Sequence, residues 1–228
     1  SRIKPHVRDT AMMLYVIYVV ITIICILCYY FSGMSLFDAI CYGFTTAGTG
    51  GFATTNKGVN AFSPLTQSFI TFFMLVYGVN FNVYFLIIMG RIKEGIKSEE
   101  MRVYLLTVLV ITTIVVISSY KYFNSIGENI HTSLFTVSSM ITTTGYNIRP
   151  YSDWADMSRH AMLFAMCVGS CAGSTAGGLK ISRFVIVMKQ AFKEINYQLL
   201  LFLFHLAEHH FWTFILFHIT WFKNFCFI

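Results

Sequence analysis

Two short stretches carry the residue types with which a chain could handle a bare ion. Thr45-Thr46-Ala47-Gly48-Thr49-Gly50-Gly51-Phe52 and Thr142-Thr143-Thr144-Gly145-Tyr146 both end on a glycine followed by an aromatic residue, and those glycines, Gly51 and Gly145, stand 94 positions apart. Glycine lets the backbone visit positive φ, which can aim successive carbonyls at one axis. Carbonyl oxygens offer partial negative charge without a fixed anion that would trap a cation, so they can replace its lost water shell. Threonine suits the positions before the glycine, because its hydroxyl can bond locally or face the ion. The candidate ion-binding residues are therefore Thr49, Gly50, Gly51, Thr143, Thr144 and Gly145. Nothing at these positions points to bond-making chemistry or a bound cofactor.

The elements that must position these turns follow from composition. With 56% hydrophobic residues, 11% charged residues and a mean hydropathy of +0.66, the 228-residue chain has too few charges to coat a soluble domain. A membrane-spanning helix needs roughly 20 mostly apolar residues to cross about 30 Å of hydrocarbon. Ala11 to Phe31 meets that length with Thr22 as its main polar interruption, Leu65 to Met89 meets it with several amides, and Val103 to Tyr120 is close to it. Ala161 to Val187 is long enough but broken. The first run exceeds a usual signal-peptide core and lacks a small-residue cleavage site, so it reads as a retained helix. Arg2, Lys4 and Arg8 precede it; Arg91, Lys93, Lys97 and Arg102 lie between the second and third runs; Lys180, Arg183, Lys189 and Lys193 follow the fourth. By the positive-inside rule these segments, the N-terminus included, are cytoplasmic, and both turns face outside.

Met34 to Thr46 and Asn129 to Ile141, which lead into the turns, are too short to cross. They are expected to descend as half-helices and return as extended backbone, which survives at membrane depth only inside protein or beside a water-filled cavity. Each half-helix would point its partially negative C-terminal end at the ion. The same 94-residue shift carries the start of the first long run, near Thr10, to Tyr104 at the start of the third, which argues for duplicated units. The expected organisation is a helix–pore-loop–helix repeat over 1–95, a second over 96–195, and an atypical apolar, histidine-rich tail over 196–228. The fold class is an all-α membrane protein of tandem helix, re-entrant half-helix, helix repeats, like potassium channels, with one broken helix. Ordinary extracellular loops are the alternative, but such loops do not need a preceding apolar half-helix twice.

A third glycine-rich stretch, Gly169-Ser170-Cys171-Ala172-Gly173-Ser174-Thr175-Ala176-Gly177-Gly178-Leu179-Lys180, interrupts the fourth run. Glycine costs about 1 kcal/mol in a helix relative to alanine, so these glycines favour an unwound loop within the membrane. Gly169, Gly173, Ser174, Thr175, Gly177 and Gly178 are the candidate gate. The Gly169, Gly173, Gly177 spacing also fits a small-residue helix-packing surface. A phosphate-binding loop fails on detail, because Leu179 separates Gly178 from Lys180 and Ile181 follows.

The remaining motifs are secondary. His205-Leu206-Ala207-Glu208-His209 spells a zinc-protease pattern, yet after His209 the chain has no Asp or Glu to complete a site, and His210 and His218 read with it as an incidental cluster. Cys25, Cys28, Cys41, Cys167, Cys171 and Cys226 read mostly as small buried hydrophobes. Asn80 and Asn82 should seek partners inside the bundle, as braces or as pore lining. Arg149 would repel cations near the outer mouth unless paired with Asp153 or Asp156, and a paired, structural role is expected.

Thr49 to Thr54, Asn80-Phe81-Asn82, Thr142 to Tyr146 and Gly169 to Gly178 together resemble the membrane subunit of bacterial Trk/Ktr-type potassium uptake systems, nearest the TrkH branch, over roughly Ile3 to Gln198. The resemblance implies four helix, half-helix, helix repeats around one pore, of which this chain would hold the second and third. It implies that Gly51 and Gly145 are filter glycines and that Gly169 to Gly178 is an intramembrane gating loop. Related plant transporters with serine at a filter glycine can favour sodium, so glycine at both positions favours potassium, passing passively or by gradient-coupled symport. It further implies a multi-pass protein of the inner membrane, surrounded by lipid, forming a homodimer with a cytosolic nucleotide-binding regulatory subunit of the TrkA kind, and no nucleic-acid partner. Family members run to about twice this length, so a fragment of a longer product is expected, and a non-conducting assembly module is the competing function. Leu199 to Ile228 departs from the family pattern.

Overall fold

The long apolar runs form helices because nothing in them offers the backbone a competing partner, and polar caps set where they begin. The structure, a computed structural model, describes residues 7–200, all of whose regular secondary structure is helical. Arg2, Lys4, Cys226, the histidine motif over 205–209 and the tail beyond residue 200 lie outside the described residues. Two compact units are distinguished, residues through Arg183 and those from Phe184 onward. In the second, residues 184–200 are helical.

In the first unit, α1 (Val7–Phe31) is apolar on every face over Ala11–Phe31. It buries only a narrow stripe, Ile17, Thr22, Cys25 and Tyr29, leaving large side chains such as Val16, Val20, Ile24 and Leu27 exposed, as suits a helix meeting lipid. Thr22, the one polar interruption, is absorbed: its hydroxyl donates to the Tyr18 carbonyl at 2.8 Å and pairs with the Tyr77 hydroxyl at 3.0 Å. The two segments expected as half-helices, Met34 to Thr46 and Asn129 to Ile141, correspond to the short helices α2 (Leu36–Ala47) and α7 (Ile126–Ile141), called half-helices below. Each opens with a serine whose hydroxyl accepts an N–H three residues on, Ser35 from Asp38 at 3.1 Å and Ser125 from Glu128 at 3.2 Å. An acidic residue in the first turn also suits the positive end of the helix. Between the half-helices lie α3 (Pro64–Gly78), α4 (Phe81–Ile88), the short α5 (Ile92–Ile96) and α6 (Glu99–Ser119). Helix α8 (Asp156–Val168) follows α7, and irregular backbone over residues 169–180 then leads into a helix beginning at residue 181.

Packing joins the two halves of this unit. Helix α7 lies against α3, α6 and α8, while α1 lies against α2, α3 and α4. The core is aromatic: Tyr29 meets Phe73 edge-on at 5.8 Å, and Tyr42 stacks on Tyr146 at 5.6 Å. Buried tyrosines need hydroxyl partners; Tyr29 donates to Thr46 and Tyr104 to the Leu75 carbonyl, both at 3.2 Å.

The run Leu65 to Met89 differs from expectation. It is two helices, α3 and α4, bent by 88°. The break has three causes. The Tyr104 hydroxyl occupies the space a Cβ would need on Gly78. Asn80 starts a new helix, its side-chain oxygen accepting the Asn82 N–H at 2.9 Å. The backbone groups released by the bend are taken up by the glycine-rich loop: Cys171 donates to the Gly78 carbonyl and Phe81 donates to the Gly173 carbonyl, both at 3.1 Å. Ala161 to Val187 is interrupted at the glycines, as expected.

The α1–α2 contact is tight at Gly43, where a Cβ would overlap Cγ1 of Ile26. Gly43→Ala should therefore destabilise the protein by about 1–3 kcal/mol through overpacking. A lowered melting temperature in detergent would show it, and adding Ile26→Ala should recover part of the loss.

Candidate functional site

Helices α2 and α7 both end in a reversal of the chain that satisfies its own amides. After α2, Thr49 donates to the Thr46 carbonyl at 3.1 Å and Gly50 to the Thr45 carbonyl at 2.7 Å. After α7, Thr143 donates to the Met140 carbonyl at 3.1 Å and Thr144 to the Ser139 carbonyl at 2.9 Å. Every position in the second set is the first shifted by 94, and both sets form the paired bonds of a Schellman cap. The left-handed position of such a cap is normally glycine. Here it is Thr49 at φ 50° and Thr143 at φ 54°, a conformation that costs a non-glycine residue about 1–2 kcal/mol. β-Branched residues held at positive φ point to a constraint beyond folding.

The turns are braced from behind in matching ways. Thr45 donates to the Phe52 carbonyl at 3.2 Å, and Ser139, 94 positions later, donates to the Tyr146 carbonyl at 2.7 Å. The Tyr146 hydroxyl also reaches Thr45, which ties the second turn to the first half-helix. The two turns touch: a Cβ on Gly51, at φ 69°, would overlap the carbonyl oxygen of Thr144. Gly145, at φ 85°, faces open space, with nothing within 4 Å of where its Cβ would stand.

The carbonyls of these turns are left over. Among the described residues, none donates a hydrogen bond to the main-chain oxygen of Thr49, Gly50, Gly51, Thr143, Thr144 or Gly145. The threonine hydroxyls, by contrast, are engaged by protein. Thr49 donates to the Gly48 carbonyl at 2.8 Å and reaches the Thr175 carbonyl at 3.2 Å. Thr143 accepts the Gly177 N–H at 2.7 Å, and Thr144 pairs with Thr142 at 2.8 Å.

Thus the third glycine-rich stretch lies against both turns. It is a closed loop. Gly169 and Gly178 cross so closely that a Cβ on Gly169 would stand 2.5 Å from the Gly177 oxygen and 2.9 Å from Cα of Gly178. Ser170 donates to the Ile141 carbonyl at 2.9 Å, fastening the loop to the end of α7. Ser174 turns inward to the Cys171 carbonyl at 2.6 Å, and Thr175 reaches the Tyr77 carbonyl at 3.4 Å. Gly173 lies beside Asn80, 3.0 Å separating its would-be Cβ from the Asn80 side-chain oxygen. All six candidate gate residues therefore belong to one folded segment, and no continuous helix runs through it for a small-residue packing surface to form on.

Two residues in this region are placed differently from the sequence reading. Arg149 is paired, as expected, but with Glu128 at 2.7 Å and not with Asp153 or Asp156; Asp156 instead binds Arg159. Glu128 is brought near by the first turn of α7, and the Arg149 guanidinium also lies over the Phe123 ring at 5.3 Å. Glu100, which the sequence reading did not single out, contacts the glycine-rich loop: one carboxylate oxygen accepts the Ala172 N–H at 2.5 Å and the other accepts a hydrogen bond from Nδ2 of Asn80 at 3.1 Å. Asn80 is thus a brace, which was one of its two expected roles.

At the start of α2, hydrogen bonds from Thr54 at 2.6 Å and Ser35 at 2.7 Å hold the Asp38 carboxyl below the usual carboxylate range.

Comparison with known proteins shows which family this helical unit, with its paired turns and unpartnered carbonyls, comes from. Residues 2–200 match the TrkH family, described as cation transport protein. The chain is 34% identical over 201 residues to the Trk system potassium uptake protein TrkH of Salmonella typhimurium, and 35% identical over 203 residues to TrkG of Escherichia coli. Each alignment takes in 86% of this chain and 41% of the relative. The crystal structure of the potassium transporter TrkH from Vibrio parahaemolyticus superposes with a TM-score of 0.79 at 28% identity, covering 85% of this chain and 43% of that one. The chain belongs to the TrkH family and is an integral membrane protein, spanning about two-fifths of the length of the curated relatives it matches.

The geometry separates the two turn glycines. Gly145→Ala meets only the positive-φ penalty, about 1–2 kcal/mol. Gly51→Ala meets that penalty and a collision with backbone that no side-chain rotation relieves. Thermal unfolding in detergent should therefore rank Gly51→Ala as clearly the more damaging, and equal losses would count against contact between the turns.

Proposed function

We propose that this chain supplies two of the four walls of a potassium pathway. The main-chain oxygens of Thr49, Gly50, Gly51, Thr143, Thr144 and Gly145 replace water around the ion. The supporting observation is that these six carbonyls are unpartnered among the described residues while the amides of Thr49, Gly50, Thr143, Thr144 and Gly145 are bonded back onto α2 and α7. At membrane depth a polar group without a partner is costly. A passing cation is the partner that offsets this cost. Potassium is the substrate in this reading, named by the printed functions of the relatives, and it moves passively or by gradient-coupled symport.

The loop over residues 169–178 acts as the gate. Its contacts with Thr49 and Thr143 place it against both turns at their helix-side ends, where it obstructs passage until it withdraws. Residues 1–95 and 96–195 are then two helix, pore-loop, helix repeats, and the pore is completed by two more. The protein lies in the inner membrane with its N-terminus in the cytoplasm and both turns facing outward. Homodimers form, and a cytosolic nucleotide-binding subunit of the TrkA kind docks on the basic segments around Arg91 to Arg102 and Lys180 to Lys193. A non-conducting assembly role is the second reading, favoured by the share of the relatives' length that the chain spans.

Growth of a potassium-uptake-deficient bacterium at low external potassium distinguishes the two. A chimera carrying residues 2–200 in place of the matching region of the Escherichia coli relative should restore growth, whereas the chain alone should not. Gly145→Ser in the chimera should shift ion preference toward sodium. An unchanged preference with full rescue would remove Gly145 from the ion path.

A further inference from the structure

Glu100 stands in the first turn of α6, yet its carboxylate is turned toward the glycine-rich loop. Its two oxygens divide their work: one takes the main-chain N–H of Ala172 at 2.5 Å, the other takes Nδ2 of Asn80 at 3.1 Å. Asn80 has no freedom to turn its amide round, because its Oδ1 already caps α4 through the Asn82 N–H at 2.9 Å. The neighbouring loop amide, Cys171, is bonded to the Gly78 carbonyl, and the Gly173 carbonyl accepts from Phe81. One side chain thus fastens three elements together: the start of α6, the start of α4 and the first half of the loop. Lys180 donates its ammonium to the Ala176 carbonyl within the loop itself.

Two N–H donors converging on one side chain call for an acceptor at both ends. A carboxylate meets that need, and hydrogen bonds to a charged acceptor are about twice as strong as neutral ones. Glutamine has the same size but must present its own NH2 group to one of the two donors.

We propose that Glu100 is the positioning residue that latches the loop against the α3–α4 bend, in the arrangement where Thr175 and Gly177 reach Thr49 and Thr143. Letting go of the Ala172 N–H is the step that frees the loop to move. The latch rests on the reading of the loop as a gate, but its geometry can be tested without ion flux.

The test is site-resolved alkylation of the full chain in native membrane vesicles with a membrane-permeant maleimide, peptides being quantified by mass spectrometry. Cys171 is buried beside the latch, Cys25 is buried in the α1 core and reports general unfolding, and Cys167 is exposed and reports reagent access. E100Q should raise the Cys171 rate by about tenfold or more, as expected when a charge-assisted hydrogen bond no longer opposes local opening, with Cys25 unchanged. N80D should do the same while keeping the α4 cap, because aspartate caps as well as asparagine but sets an acceptor against an acceptor. The double variant N80D/E100Q exchanges donor for acceptor across the contact and should restore protection. Loss of side-chain volume alone predicts no such restoration. Cys171 remaining as protected in E100Q and N80D as in the parent would overturn the latch, as would single variants that expose Cys25 equally with Cys171 and a double variant that recovers neither. Failure of the chimera to rescue growth at low potassium, alongside the expected alkylation pattern, would reject permeation and leave the latch standing.

Discussion

Backbone polar groups at membrane depth have no water to fall back on, and the organisation of this chain follows from how it answers that shortage. Three of the irregular stretches between helices carry this most clearly: the turns after α2 and α7, and the loop after α8. In the turns, the amides fold back onto the last carbonyls of their own half-helix, so donors and helix-end acceptors cancel locally. What remains is one-sided, an array of oxygens without matching N–H groups. A polypeptide has equal numbers of the two, and such separation is available only where a helix terminus can absorb the donors.

The loop answers the same shortage by borrowing. Its amides and carbonyls find partners on the α3–α4 bend, on the end of α7, on a carboxylate of α6 and on the two threonines at the left-handed cap positions. Bend and loop complete each other, since Gly78 and Phe81 lose helical partners at the break and regain them from Cys171 and Gly173. The strain at Thr49 and Thr143 becomes intelligible in this setting. Glycine would relieve the backbone at either position, but it would remove the hydroxyl through which a turn meets the loop.

The turns, the half-helices and the broken fourth run were legible in the sequence because each is written locally, in glycines, in a capping serine or in an apolar length. The register of 94 holds residue by residue from Thr45/Ser139 to Phe52/Tyr146. The bend in Leu65 to Met89 was not legible, since hydropathy is the same on both sides of it and its causes, Tyr104 and the loop, lie far along the chain. Glu100 was hidden for a similar reason: it stands among basic residues, and its partner Ala172 is 72 positions away. Arg149 was read against the acids that follow it, whereas the fold supplies one from 21 positions before. Charge patterning sees neighbours in sequence, and a half-helix that doubles back changes who the neighbours are.

The two half-helices differ in one respect that the shared register conceals. Helix α7 has 16 residues and α2 has 12, although their C-terminal turns match position for position. The surplus is therefore one helical turn at the start of α7, about 6 Å at 1.5 Å per residue. Asp38 and Glu128, each in the first turn of its half-helix, consequently stand at unequal heights above otherwise equivalent oxygens. Quasi-symmetry is kept at the C-terminal ends of the two helices and abandoned at their starts, so the carboxylates of Asp38 and Glu128 stand one helical turn out of step, and among the described residues only the second is matched by an arginine, Arg149.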